Sequence, residues 1–185
     1  VVLLLLVGGR RALIALGIIY DSPRRSSVSV APTGSKQYIA RGVASLVRRG
    51  RLSKGLGSPE AIEERLAFGR DLASLAGVCD LVVEAVFENL ELKRDIFAQL
   101  DAACGSGSSG GNKQTILATK TSTLDVDKIA AAAPRFDQGA AAGGMVLGMH
   151  FFSPAHLMRL VEVVKGRHTS RAALEAVLRV TKAMG

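Results

Sequence analysis

Three short apolar runs constrain this chain more than anything else in it: Asp80–Val86 (DLVVEAV), Thr115–Thr119 (TILAT) and Val146–His150 (VLGMH). Each is short for a helix, and none shows the strict apolar/polar alternation of a strand with one wet face. Such runs read as strands buried on both faces, which requires helices above and below a mostly parallel sheet. The segments between them supply those helices. Leu92, Ile96, Phe97 and Leu100 fall at i, i+4, i+5 and i+8; Val126–Ala133 reads as a second helix. Ser58-Pro59 opens another, with Ile62 and Leu66 as its buried stripe, and Thr169 or Ser170 caps a last one bearing Leu174, Val177, Leu178 and Met184. The composition agrees, being 48% hydrophobic but only 4% aromatic. The expected architecture is one α/β domain over residues 1–185.

Val146–His150 and a second run, Leu160–Val164, flank the turn signal Ser153-Pro154. Folded back on each other, they bring His150 and Glu162 together. A carboxylate beside an imidazole favours the imidazolium and fixes the ring's orientation, which makes a histidine a competent base near neutral pH. On the residues alone, the two are equally well ordinary sheet residues. Cys79 and Cys104 have no metal-ligand spacing and read as buried free thiols in a reducing compartment; no metal site is expected.

The wording of Met149–Val164, MHFFSPAHLMRLVEVV, resembles the active-site segment of the NAD-dependent L-3-hydroxyacyl-CoA dehydrogenases, which usually runs H-F-F-N/S-P and then M-x-L-V-E-V. The resemblance extends through DLVVEAVFENLELKRDIFAQLD (80–101) and TILATKTSTL (115–124) and, more weakly, through Tyr38–Leu66; residues 38–185 carry it and the first 37 fit poorly. It implies a Rossmann-like, doubly wound, mostly parallel sheet whose last strands turn antiparallel. It implies NAD as cofactor and an acyl-CoA as substrate. His150 would take the hydroxyl proton, Glu162 would hold the imidazolium, and Ser122 would touch both the substrate and the nicotinamide side. Glu88 and Lys93 match positions lining the NAD site. Without the resemblance, Ser122 reads equally as a capping hydroxyl for the helix at 126. Lys120 replaces the family's usual Asn, and as a longer cation it either crowds the acyl mouth or pairs with a coenzyme A phosphate.

The family follows this region with a helical domain that the chain does not reach, and a homodimer is expected only where that domain is present. The implied compartment is cytoplasmic, or mitochondrial or peroxisomal in a eukaryote. Two functions remain open: oxidation of L-3-hydroxyacyl-CoA, impaired in a chain of this length, or a non-catalytic CoA- or dinucleotide-binding remnant or fragment of a larger β-oxidation protein.

Val1–Val7 followed by Gly8-Gly9 suits a first strand entering a glycine turn, and it falls far short of the about 20 residues that span a bilayer. Gly8 is the candidate first glycine of a dinucleotide fingerprint. Arg10 and Leu13 then stand where the second and third glycines allow close approach to a pyrophosphate. Ser26–Ala31, the expected second strand, offers no carboxylate for a ribose. The net charge of +8 is concentrated early: residues 1–58 hold ten Lys or Arg against one acidic residue, Asp21. No nucleic-acid motif or interleaved aromatics accompany these charges, so a solvated basic face or a phosphorylated small ligand is expected, and neither nucleic acid nor membrane.

Overall fold

The computed structural model describes residues 2–5, 13–16, 41, 45, 48, 58, 60, 64, 66–69, 72, 79–105, 115–137, 143–153, 158 and 160–184. Seven strands, β1 (Val2–Leu5), β2 (Leu13–Leu16), β3 (Leu66–Gly69), β4 (Leu81–Glu84), β5 (Ile116–Thr119), β6 (Val146–Phe151) and β7 (Val161–Lys165), form one sheet in the order β3-β1-β2-β4-β5-β6-β7. The described helices are α1 (Leu90–Gly105), α2 (Val126–Ala130) and α3 (Arg171–Met184). Strands β2, β4, β5 and β6 run parallel and β7 turns antiparallel on β6, the arrangement expected of a Rossmann-like domain. No described helix is long and apolar enough to cross a membrane.

The far edge departs from expectation. There β1 pairs antiparallel with both β2 and β3. Leu13 therefore lies in a strand, opposite Leu5 and Leu81, rather than at a helix start. The connection that holds Gly8 and Arg10 falls outside the described residues, as does Ser26–Ala31. Leu66 pairs with Leu5 in β3, whereas the local spacing placed it on a helix with Ile62; among the described residues ahead of it, Glu60 and Glu64 keep a helical turn, the Glu64 N–H donating to the Glu60 carbonyl at 2.9 Å. A four-residue ladder against β1 prevails over a two-residue helical pattern, since local propensity is the weaker term. Arg41 and Arg48 are exposed helical positions.

Both faces of the central strands are covered. Val82, Leu117 and Val146 pack with Phe97 and Leu100 of α1 and Ile129 of α2. On the other face Leu81, Val83, Ile116, Ala118, Leu147 and Met149 pack with Ala173 and Val177 of α3. All four residues of β4 and of β5 are buried, which is why their sequences lack a polar alternation. Along α1, Ile96, Phe97 and Leu100 are buried and Leu92 only partly. On α3 the buried line runs through Ala173 and the expected Val177, while Leu178, one residue further round the helix, is 47% exposed. The Ser170 hydroxyl caps α3, accepting the Ala173 amide at 3.2 Å. Helix α2 stops at Ala130, shorter than the expected Val126–Ala133, because the amides of Ala132 and Ala133 bond three residues back instead of four.

Strand β7 can lie flush on β6 because of Gly148, which faces Val164 in the register. A Cβ at this position would stand 2.9 Å from Val164 Cβ and 3.3 Å from Val126 Cγ2. Neither neighbour is a free side-chain end. We predict that Gly148→Ala lowers the unfolding free energy by about 1–3 kcal/mol, the usual cost of overpacking a filled site, measurable by urea denaturation. A variant as stable as the native chain would contradict this contact.

Candidate active site

The parallel strands β4, β5 and β6 end on the same side of the sheet, and a cavity of about 410 Å³ opens there. Its apolar lining includes Val86, Phe87 and Phe152; its polar lining includes Glu88, Lys120, Ser122 and His150. Three separate sequence blocks thus meet in one cavity. Crevices outside the carboxyl ends of parallel strands are where such sheets bind ligands, because the strands' polar termini and the loops after them converge there.

His150 sits in β6 directly opposite Glu162 in β7. The imidazole Nδ1 is 2.8 Å from Glu162 Oε2, and the ring packs 4.9 Å from that of Phe152. The expected juxtaposition is therefore present. The imidazole side chain is 21% exposed and the carboxylate 52%. A pair this wet contributes at most about 1 kcal/mol to stability, so its consequence is orientation: with Nδ1–H given to Glu162, Nε2 is the nitrogen left for a ligand.

Ser122 lies on the turn after β5. Its amide donates to Glu88 Oε1 at 2.9 Å, and its hydroxyl stands 3.5 Å from the same oxygen, at the limit of a hydrogen bond. Capping of α2 falls to Asp125, whose side chain accepts the Asp127 amide, so the Ser122 hydroxyl is not committed there. Glu88 also accepts the Thr121 hydroxyl and, at 3.1 Å, the Thr123 amide. Partial burial alone would raise this carboxyl. The Thr121 hydroxyl, the Thr123 and Ser122 amides and the charge of Lys93 outweigh it and bring Glu88 down to about 2.

Lys93 does not line the cavity. Its side chain is fully buried beneath it, with the ammonium 2.9 Å from Glu84 Oε1 and 3.6 Å from Glu88 Oε2. Glu84 is buried too, and its second oxygen accepts the Thr119 hydroxyl at 2.6 Å. Sequence reasoning passed over Glu84 and Thr119. The signal for Glu84 was a carboxylate inside the apolar run DLVVEAV, where a charge is rarely buried without a partner. Nothing comparable marked Thr121. Lys120, which stands in the cavity wall, has no side-chain partner among the described residues. Gly8 lies outside them.

The fold and this cavity define a Rossmann-like dinucleotide-binding domain with a histidine–carboxylate pair at its ligand-binding edge. The profile of the 3-hydroxyacyl-CoA dehydrogenase NAD binding domain matches residues 28–185, and the chain belongs to that family. The chain is 44% identical over 115 residues to the peroxisomal bifunctional enzyme of Cavia porcellus, covering 62% of this chain and 14% of that protein. To the peroxisomal bifunctional enzyme of Danio rerio it is 35% identical over 172 residues, 91% of this chain and 21% of that one. Among solved structures, 3-hydroxybutyryl-CoA dehydrogenase from Escherichia coli K12 superposes with a TM-score of 0.65 at 34% identity, over 83% of this chain and 29% of the other. The chain therefore spans less than a third of the length of each of these relatives.

We predict a pH-dependent role for Glu88 in stability. Its carboxyl is depressed in the folded state, so the stabilisation is fully present above the unfolded value, about 4.3, and is lost as pH falls towards about 2. The native chain should exceed Glu88→Gln in urea midpoint at pH 7, and the gap should narrow steadily below pH 5. A gap that is constant with pH would show that the ionised form of Glu88 is not what stabilises its contacts with residues 121–123.

Proposed function

We propose that this chain carries the proton-transfer and cofactor-facing part of an NAD-dependent oxidation of L-3-hydroxyacyl-CoA to 3-oxoacyl-CoA. The observation that carries this reading is the 2.8 Å contact of His150 with Glu162 beside the cavity at the strand ends. The cavity suits the nicotinamide end of a dinucleotide: Val86 and Phe87 offer an apolar wall for a flat ring, and Ser122 and Lys120 offer donors for its polar groups. NAD, when bound, supplies the acceptor for a hydride.

The chain's own groups do the rest. His150 Nε2 takes the substrate's hydroxyl proton while the C3–H electron pair departs as hydride, so the C3–O bond becomes a carbonyl. Glu162 holds the resulting imidazolium at Nδ1 and keeps the ring from turning. The Ser122 hydroxyl donates to the reacting oxygen, and Phe152 screens the imidazole from water on the face it covers. An acyl-CoA substrate, and a cytoplasmic or peroxisomal setting, belong to the same proposal. They are supported by the names of the relatives.

The test follows NADH absorbance as the purified chain reduces acetoacetyl-CoA. Turnover is expected, and His150→Gln should lower kcat by about 10²–10⁴, the usual worth of a positioned base. Glu162→Gln should lower it less, because an amide oxygen still accepts from Nδ1–H. If the chain binds NADH and acetoacetyl-CoA but turns neither over, the non-catalytic binding role replaces this one; if His150→Gln keeps most of the native kcat, His150 is not the base.

A further inference from the structure

Lys120 is the charged side chain of the cavity wall that no other described residue answers. It follows directly on β5, whose last residue, Thr119, pairs with Glu84 on one side and Gly148 on the other. The Lys120 amide extends the first of these pairings, donating to the Glu84 carbonyl at 2.7 Å. Its backbone is therefore fixed midway between the ends of β4 and β6, and the side chain stands in the cavity wall with Ser122 and His150. This side chain is half-buried and has no hydrogen bond or ion pair among the described residues. Glu88, the carboxylate that lines the same cavity, is not its partner: it accepts the Thr121 hydroxyl and the Ser122 and Thr123 amides, so its charge is met by the turn after β5. Glu162 stands across from His150 and is 52% exposed, where water and salt screen it.

An ammonium in a partly enclosed cavity acts on the charge of whatever is bound there. The phosphates of a dinucleotide or of coenzyme A offer a counter-charge, but a ribose or a pantetheine arm separates them from the reacting end, and Lys120 shares its wall with the groups of that end. The group that changes charge at the reacting end is the nicotinamide ring, positive when oxidised and neutral once it has accepted a hydride. We propose that Lys120 is a specificity-determining residue for the redox form of the cofactor: its ammonium disfavours the oxidised, positively charged nicotinamide relative to the reduced ring, and so biases the bound reactants towards oxidation of the substrate. The 3-hydroxy and 3-oxo substrates are both uncharged at C3, so the bias falls on the cofactor. The inference rests on the proposed function for which end of the dinucleotide the cavity holds.

At an effective dielectric of about 20, a full charge across the width of a small cavity favours the reduced form by on the order of tenfold at moderate ionic strength. For a two-electron couple that ratio is equivalent to about 30 mV. The test is equilibrium binding to the full 185-residue chain, with NADH followed by its fluorescence and oxidised NAD by its displacement of NADH. Lys120→Met removes the charge and keeps the length of the side chain; Lys120→Arg keeps the charge. The preference for NADH over oxidised NAD should fall about tenfold in Lys120→Met, chiefly through tighter binding of the oxidised form, and should stay within about twofold of native in Lys120→Arg. The difference between the native chain and Lys120→Met should shrink as salt is raised.

Equal losses of affinity for both forms in Lys120→Met would place the ammonium on a phosphate that the two share, and would overturn the proposal. Unchanged binding of both, with a lower KM for acetoacetyl-CoA, would mean that Lys120 crowds the acyl mouth, and would overturn it too. So would a Lys120→Arg variant whose preference falls as far as that of Lys120→Met. If the native chain binds neither form, the cofactor reading of the proposed function fails and this inference fails with it; if both bind with a preference that Lys120→Met leaves unaltered, only this inference fails.

Discussion

The central strands of the sheet are sealed on both faces, and everything else follows from that. With every residue of β4 and β5 buried, and helices α1 and α2 on one side and α3 on the other, the strands have no face left for polar chemistry. Polar side chains are driven to the strand ends. Because β4, β5 and β6 run parallel, their carboxyl ends coincide, and the loops after β4 and β5 and the end of β6 place Glu88, Ser122 and His150 around one cavity although sequence separates them by tens of residues.

The break in the parallel order at β7 has a consequence for the site. An antiparallel β7 sets Glu162 directly across from His150, at the distance where cross-strand side chains touch. That pair lies in a wet place, and its worth is geometric. The other ion pair of the site is its opposite in character. Glu84 and Lys93 have no access to water, so every donor and acceptor must be met inside the protein, and they are met by β4, β5, the loop after β4 and Glu88. Buried ionic groups contribute little net stability, since desolvation offsets their attraction.

The sequence was most legible from Asp80 onwards. Strands β4 to β7 and helices α1 and α3 fall where apolar runs and caps put them. The early part was less legible: Leu13–Leu16 and Leu66–Gly69 carry apolar residues that suit a strand or a helix equally, and the choice was made by backbone pairing with Val2–Leu5. The misjudged face of α3 has a similar cause. Val177 and Leu178 are equally apolar neighbours, and only the position of Leu147 and Met149 in the sheet decides which turns inward.

Sequence alone determined the class of fold and the pairing of His150 with Glu162, because continuous apolar runs, a helical stripe and a turn signal are local properties, and because the wording around these two residues is specific. Tertiary structure decided what Glu84, Thr119, Thr121 and Lys93 do. Their meaning depends on contacts across the sheet and from helix to strand, which no local pattern encodes: Lys93 reads as an ordinary first-turn charge until Glu84 is seen beneath it, and Glu88 as an exposed carboxylate until the turn at 121–123 closes on it. A charge has a cost or a use according to what surrounds it, and its surroundings exist only once the chain has folded.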